Sequence, residues 1–206
     1  MTKLDRDTVI GAALDLLDEV GVDGLTTRKL AQRLDVQQPA LYWHFRSKRA
    51  LLDKLAETML AEKHTRPLPK EGEDWRVFLN ENARSFRRAL LSRRDGARIH
   101  AGTRPSTPQY EAVEAQIAFL CAAGFSPRDA ARALVAISHY TVGAALEQQA
   151  AANDAAERRE TSEPAGTEPP PLLRQALAAF EEDGADLAFD DGLDIIIAGL
   201  ERRATR

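Results

Sequence analysis

The 206-residue chain has little cysteine and no long apolar run. Its one cysteine, Cys121, excludes an internal disulfide and suits a packed core thiol better than a nucleophile. No stretch approaches the ~20 consecutive apolar residues of a membrane span, and residues 1–5 contain no apolar signal core. We therefore expect a cytoplasmic protein without a membrane partner. Runs of β-branched residues are few, while Ala, Leu, Glu and Arg are abundant, which favours an all-α fold.

Residues 25–45 predict two short helices joined by a tight turn. Thr26 is a good N-cap for the first helix, and Pro39 suits the first turn of the second because its missing N–H has no helical partner there. Leu41 and Phe45 lie four positions apart and can both face inward. The side chains left on the outside are Gln38, Ala40, Tyr42, Trp43 and His44.

The charge around this helix pair is basic. Residues 24–50 contain six basic side chains and one acidic side chain, Asp35, in a chain whose net charge is −4. A basic helix-turn-helix on an acidic body is typical of a module that reads DNA. The alternative is a solvated helical hairpin whose aromatic side chains form a buried cap.

The remaining sequence predicts a larger helical body. We expect a three-helix DNA-binding head over residues 1–47, in which a helix over about 5–20 supports the reading pair. Residues 48–206 then form the ligand-binding and dimerisation core. A linking helix over 48–63 joins the two parts. Further helices are predicted over about 75–91, 108–123, 127–156, 172–182 and 185–203, with a flexible loop over 153–168.

Two amides interrupt apolar helical stripes. Asn82 follows the spacing of Phe78 and Phe86, and Gln116 lies between Val113 and Leu120. A buried amide needs hydrogen-bond partners, so each amide either bonds neighbouring backbone or lines a cavity that binds a small molecule.

Residues 95–105 contain a short stretch that is bracketed by Gly96 and Gly102 and ended by Pro105, which predicts a marginal helix. His100 and Thr103 can offer a nitrogen and a hydroxyl toward one point. From the residues alone, His100 is either a bonded core histidine or a metal ligand.

The predicted last helix carries an unusually apolar stripe. A homodimer explains it, with the 127–156 and 185–203 helices of two chains forming a four-helix interface. The alternative is a helix buried within one subunit. The stripe comprises Phe189, Leu193, Ile196, Ile197 and Leu200.

Residues 25–48 and the preceding helix resemble the reading head of the TetR family of bacterial repressors. The similarity continues through the run 95–105, of which 100–105 is the most specific part, and through 146–149, where it resembles tetracycline-responsive members. The resemblance implies a homodimeric repressor of a tetracycline resistance or efflux gene, released from double-stranded operator DNA by tetracycline with Mg²⁺, and no enzyme activity. It assigns base contacts to Arg28, Gln38, Pro39, Ala40 and Tyr42, and phosphate contacts to Thr26, Thr27, Trp43, His44 and Lys48.

The resemblance also implies a ligand site. His100 would coordinate Mg²⁺ directly, and Thr103, with Glu147 from the partner chain, would hold metal-bound waters. The drug would contact His64, Asn82, Phe86, Arg104, Pro105, Val113, Gln116 and Leu134, and the partner's counterparts of Leu173, Leu177 and Phe180 would close the entrance.

Three positions depart from the family pattern. Ala40 stands where Thr is usual, Asp35 where Gly is usual, and Ala131 where a larger Leu is usual. The Ala40 and Ala131 departures motivate an alternative, in which the same reading head is kept but the cavity responds to a different apolar or polyketide effector. A third hypothesis is metal-assisted hydrolysis by His100 and Glu147. The chain offers no further His or carboxylate at ligand spacing, so we expect no enzyme.

Overall fold

The computed structural model describes residues 4–103, 110–161 and 168–204. Within these ranges the regular structure is helical and contains no strand, so the predicted all-α class is confirmed. The helices are α1 (Arg6–Gly24), α2 (Thr27–Arg33), α3 (Gln38–Tyr42), α4 (Lys48–Lys63), α5 (Trp75–Leu91), α6 (Gly96–Gly102), α7 (Tyr110–Ala122), α8 (Pro127–Thr161) and α9 (Pro171–Ala204).

Local capping defines the head. The Thr26 hydroxyl accepts from the backbone N–H of Lys29 at 3.2 Å, as its N-cap position predicts. The turn after α2 places Asp35 at a φ of 52°, a left-handed conformation that Asp tolerates better than most residues. The departure from Gly is therefore compatible with the turn. Leu41 and Phe45 are buried against α1 and α2, as their spacing predicts.

Helix α4 joins the two cores. Ser47 caps its N-terminus by accepting from the backbone N–H of Ala50 at 3.1 Å. Leu51 and Leu55 pack into the core of the head, whereas Met59 packs with Leu90 in the body. A movement of α4 must therefore disturb both cores, because each is densely packed.

Helix α5 lies at the centre of the body and packs on α8 and α9. Its Phe78 and Leu79 are fully buried, and they share a cluster with Leu120 of α7 and Leu193 of α9. This arrangement places one face of α5 against α7 and α8, where the cavity described below lies.

The predicted flexible loop over 153–168 is wrong for residues 153–161, because α8 continues to Thr161. This stretch is poor in apolar residues but rich in Ala, Glu and Arg, whose helix propensity is high enough to extend an existing helix. Residues 162–167 lie outside the described residues.

Helix α9 contains the predicted break. Gly184 has a φ of 75°, which separates an arm over 171–183 from a second arm over 185–204. The interpretation of the apolar stripe as a partner-facing surface is wrong for most of its members. Phe189, Leu193, Ile197 and Leu200 are buried within the subunit, because that face packs on α5 and α8. The face turned away from this core exposes Leu187 and Ile195 instead.

No helix among the described residues is long and apolar enough to cross a membrane.

The start of α6 is tightly packed, and this predicts a strong effect of a small substitution. A Cβ at Gly96 would lie 2.3 Å from the carbonyl oxygen of Leu90 and 2.8 Å from Sδ of Met59. We expect Gly96→Ala to lower the free energy of unfolding by about 1–3 kcal/mol, measured by urea denaturation. Gly102→Ala, on the same helix with no heavy atom within 4 Å of its added Cβ, is the control. Equal stabilities of the two variants would contradict the close packing.

Candidate DNA-reading surface and ligand cavity

The outer face of α3 is open to solvent. The Trp43 side chain is 90% exposed and Tyr42 is 49% exposed, which rules out the alternative of a buried aromatic cap. Gln38 and Pro39 are exposed as well, while Ala40 and His44 are half-buried. The surface therefore presents apolar and aromatic groups to solvent.

Side chains from both short helices meet on this surface. Gln38 Nε2 donates to the Thr27 hydroxyl at 2.8 Å, which holds the amide in a defined orientation. Arg28 is exposed beside it. Lys48, at the first turn of α4, donates to the carbonyl of Val22 at 3.3 Å while it remains exposed. Thr26 serves as the cap of α2, so its hydroxyl oxygen already accepts one hydrogen bond.

A cavity of about 360 Å³ lies between α5, α7 and α8. Its wall is mainly apolar with a few polar groups, the usual makeup of a small-molecule site. The structure brings together these predicted residues: His64, Asn82, Phe86, Val113, Gln116 and Leu134, together with Ala131.

Sequence reasoning missed part of the α8 wall. Val135 and Ser138 line the cavity beside Ala131 and Leu134, and these four positions follow helical i, i+3, i+4, i+7 spacing. This helical spacing is the sequence signal that could have revealed the wall. Ser138 adds to the signal, because it is a polar residue on a mainly apolar face.

The two amides bond the segment that follows α4. Asn82 Nδ2 donates to the carbonyl of Arg66 at 2.8 Å, and Gln116 Nε2 donates to the carbonyl of Pro67 at 2.6 Å. Both side chains also line the cavity. Both alternatives drawn from the sequence are therefore true. Each amide nitrogen donates to a backbone carbonyl, and each side chain also lines the cavity.

The two predicted ligand histidines both lie close to Phe86. The Phe86 ring centroid is 5.7 Å from that of His64 and 5.1 Å from that of His100. Burial lowers the pKa of His64 to about 4, with a smaller contribution from the nearby Arg88 charge, and burial also lowers the pKa of His100. Both imidazoles are therefore neutral near pH 7, which is the form that coordinates a metal.

His100 contacts the cavity through Phe86 and is not itself among the residues that line it. The Thr103 hydroxyl donates to the carbonyl of His100 at 3.3 Å. Within the described residues, no three His, Cys, Asp or Glu side chains cluster to hold a metal. Arg104 and Pro105 lie outside the described residues.

The residues assigned to a partner's entrance are exposed in this subunit. Leu173, Leu177 and Phe180 are 50%, 45% and 64% exposed on the first arm of α9, and they do not line the cavity of their own chain. Glu147 is exposed on α8. An arm with this much unpartnered apolar surface is typical of a protein–protein contact.

Polar contacts tie α6 to the head, and sequence reasoning did not find them. Asp95 accepts from the backbone N–H of Val22 at 2.8 Å, and Asp18 accepts from that of Arg94 at 2.9 Å. Arg98 binds both carboxylate oxygens of Asp23, at 2.6 and 3.1 Å. Helix α6 therefore contacts the head at one end and carries His100 near the cavity.

Comparisons with known proteins agree with both parts of this architecture. Residues 9–55 match the family model described as "Bacterial regulatory proteins, tetR family", and residues 68–204 match "Tetracyclin repressor-like, C-terminal domain". The chain is 65% identical over 203 residues to the tetracycline repressor protein class A from transposon 1721 of Escherichia coli, covering 98% of this chain and 93% of that protein.

Two solved structures are similar along nearly the whole chain. TetR from Acinetobacter baumannii AYE has a TM-score of 0.85 and 61% identity, with 98% of this chain and 99% of that chain covered. TetR class A in complex with 5a,6-anhydrotetracycline and magnesium has a TM-score of 0.77 and 55% identity, with 97% and 99% covered.

Proposed function

Because this chain belongs to the TetR family of bacterial regulatory proteins, we propose that it represses a tetracycline resistance or efflux gene and is released from its operator by tetracycline with Mg²⁺. The cavity carries the proposal, since it combines His64, Asn82 and Gln116 with an apolar wall and lies next to His100. The protein is a cytoplasmic regulator without enzyme activity. Residues 1–47 form the DNA-binding part and residues 48–206 the ligand-binding part.

The head reads the major groove of operator DNA. Arg28 recognises guanine and Gln38 recognises adenine, the pairings that their donor and acceptor geometry favours. Tyr42, Pro39 and Ala40 supply contact surface for thymine methyl groups. Thr26, Thr27, Trp43, His44 and Lys48 bind phosphates and fix the register of the head on the duplex.

The cavity binds the drug through the drug's polar edge and through the drug's rings. His64, Asn82 and Gln116 hydrogen-bond the polar edge, and Phe86, Val113 and Leu134 pack against the rings. Arg104 and Pro105 complete the wall. The cavity lining, which is mainly apolar with few polar groups, supports these two kinds of contact.

The residues near His100 fit a magnesium ion that arrives with the drug. Mg²⁺ prefers oxygen ligands and keeps several waters, so one protein ligand with drug oxygens is a sufficient set. The neutral, half-buried imidazole of His100 would coordinate the ion, while Thr103 and Glu147 of the partner subunit would hold its bound waters. The bound ion would supply a positive charge that neutralises the drug's keto-enolate oxygens.

The functional unit is a homodimer. Its contact surface includes the exposed first arm of α9, whose Leu173, Leu177 and Phe180 close the entrance of the partner's cavity. Exposed Leu187 and Ile195 on the second arm also support a contact between subunits. Two heads then read two half-sites about one helical turn apart, ~34–36 Å.

Release follows from coupling of the cavity to the head. Drug binding near His100 rearranges α6, which contacts α1 through Asp95 and Arg98 and packs on α4. Helix α4 then carries the head away from the half-site spacing. A ligand shifts such an equilibrium only by its differential affinity for the two states, and ~5.5 kcal/mol moves it from 1:99 to 99:1.

A titration tests this function directly. A duplex selected by the full-length protein from a randomised DNA pool serves as the operator. We expect tetracycline with Mg²⁺ to release this duplex, followed by fluorescence anisotropy, and we expect tetracycline with EDTA to leave it bound. DNA binding that is insensitive to both conditions would overturn the assignment of the effector.

One residue that lines the cavity favours a second class of effector. Ala131 lines the cavity and leaves more room than the Leu usual at this position. A bulkier apolar or polyketide ligand would use that space. Release of the same duplex by a polyketide, without Mg²⁺ and with no response to tetracycline, would favour this alternative.

A further inference from the structure

Ser85 lies behind His64 and is fully buried on α5. Its Oγ is 3.0 Å from Nδ1 of His64 and accepts from the backbone N–H of Arg66 at 3.1 Å. The hydroxyl of Thr65 is 3.3 Å away. One serine hydroxyl therefore meets three groups of the segment that follows α4, and the same segment supplies the carbonyls that orient Asn82 and Gln116.

The hydrogen-bonding capacity of Ser85 restricts how these groups pair. A hydroxyl has one hydrogen and two lone pairs, and the Arg66 N–H can only donate, so it occupies one lone pair. Thr65 is exposed and can bond water, whereas His64 is half-buried and its Nδ1 lies against the fully buried Ser85, so Nδ1 depends on a protein partner. The pairing that satisfies the buried nitrogen is donation from Ser85 to Nδ1, with Thr65 donating to the second lone pair of Ser85 or to water.

We propose that Ser85 is the positioning residue that fixes His64 as the tautomer with its hydrogen on Nε2, so that His64 offers a donor to the ligand. The inference rests on the proposed function, because it concerns how the same cavity recognises a drug. The pKa of His64 is lowered to about 4 by burial, so the ring is neutral at pH 7 and only one of its nitrogens carries hydrogen.

The tautomer determines which ligand edge fits beside His64. An Nε2–H donates to a keto or enolate oxygen, whereas a bare Nε2 would place two acceptors against each other. A site that must donate discriminates strongly against a ligand that lacks the matching acceptor, because its own polar group is then left unpaired. Ser85 therefore selects for an oxygen acceptor without touching the ligand.

Nitrogen NMR of the drug-free protein tests the tautomer independently of any ligand. In full-length protein labelled with ¹⁵N-histidine, the signals of His64 are identified by their loss in His64→Gln. We expect Nε2 to give the signal of a protonated ring nitrogen and Nδ1 that of an unprotonated one. The reverse pattern, or equal populations, would overturn the proposal.

Thr65→Val, at an exposed position, distinguishes the two possible pairings without disturbing the core. If Ser85 donates to His64, the tautomer is unchanged in this variant. If Ser85 instead donates to Thr65, removal of that acceptor frees the hydrogen and converts the tautomer. A conversion would therefore also overturn the proposal.

The effect of Ser85 on ligand binding is tested by measuring the affinity of its variants for tetracycline with Mg²⁺. We expect Ser85→Ala to lower the affinity about tenfold and to mix the two tautomers, because the loss of one hydrogen bond has this size. Ser92→Ala, which removes a hydroxyl bonded to the carbonyl of Ala89 on the same helix, is the matched control and should change neither. Ser85→Thr should restore the Nε2–H signal. Failure of the unmodified protein to bind tetracycline would reject the proposed function but leave the tautomer measurement valid.

Discussion

Replacing His100 with Ala should abolish most of the magnesium-dependent tetracycline binding while leaving operator binding intact. His100 is the one side chain of this chain proposed to coordinate the ion directly, and its neutral imidazole cannot be replaced by a methyl group. We expect the affinity for tetracycline with Mg²⁺ to fall about 100-fold, at the upper end of the 10- to 100-fold cost of removing a supporting group around a metal. Drug fluorescence in titrations with and without EDTA measures it.

His44→Ala provides the matched comparison, because it removes the same side chain from the other functional surface. His44 is half-buried on the head and is not among the cavity-lining residues. This variant should weaken binding of the operator duplex and keep the affinity for tetracycline with Mg²⁺. Loss of both activities in either variant would indicate a folding defect, and an unchanged drug affinity in His100→Ala would remove His100 from the site.

Much of the fold follows from local sequence signals. Thr26 caps the helix that it was predicted to cap, and the linking helix begins at its predicted residue, directly after the capping Ser47. The breaks at Asp35 and Gly184 occur where the backbone adopts positive φ. These features depend on residues within one turn of the position concerned, so the sequence is sufficient to predict them.

Features that depend on distant parts of the chain were harder to predict. An apolar stripe such as Phe189, Leu193 and Ile197 indicates that a face is buried, but periodicity does not distinguish burial in the same subunit from burial against a partner. The bond between Asp95 and Val22 joins residues 73 positions apart. Such a pair leaves no mark on local spacing, so only the folded arrangement reveals it.

The residues of the candidate site also differ in whether the sequence reveals them. Asn82 and Gln116 could be found because an amide on an apolar stripe is unusual. Ser85 could not be found, because a small polar residue on a helix is common and its importance comes from packing against the segment around Arg66. Sequence reasoning thus locates groups that face a cavity more readily than the groups that hold them in place.

Replacing Arg28 with Ala should produce the largest loss of sequence-specific DNA binding. Arg28 is exposed beside the Gln38–Thr27 pair, so its guanidinium can reach a guanine edge with two hydrogen bonds. A contact of this kind contributes about 1–3 kcal/mol per head, which for two heads amounts to an affinity loss of about 30-fold or more. Fluorescence anisotropy with the selected duplex measures it, and binding of tetracycline with Mg²⁺ should be unchanged.

Lys29→Ala separates base reading from charge, because it removes the same charge from the neighbouring exposed position. Loss of a phosphate contact weakens binding to all sequences and lowers the slope of log affinity against log salt by about one. Loss of a base contact instead reduces the difference between the selected duplex and a duplex with that guanine changed. We therefore expect Arg28→Ala to bind both duplexes almost equally, whereas Lys29→Ala still prefers the selected one. If Arg28→Ala retained the full preference, the guanidinium would be a phosphate contact, and base recognition would have to come from Gln38 and the outer face of α3.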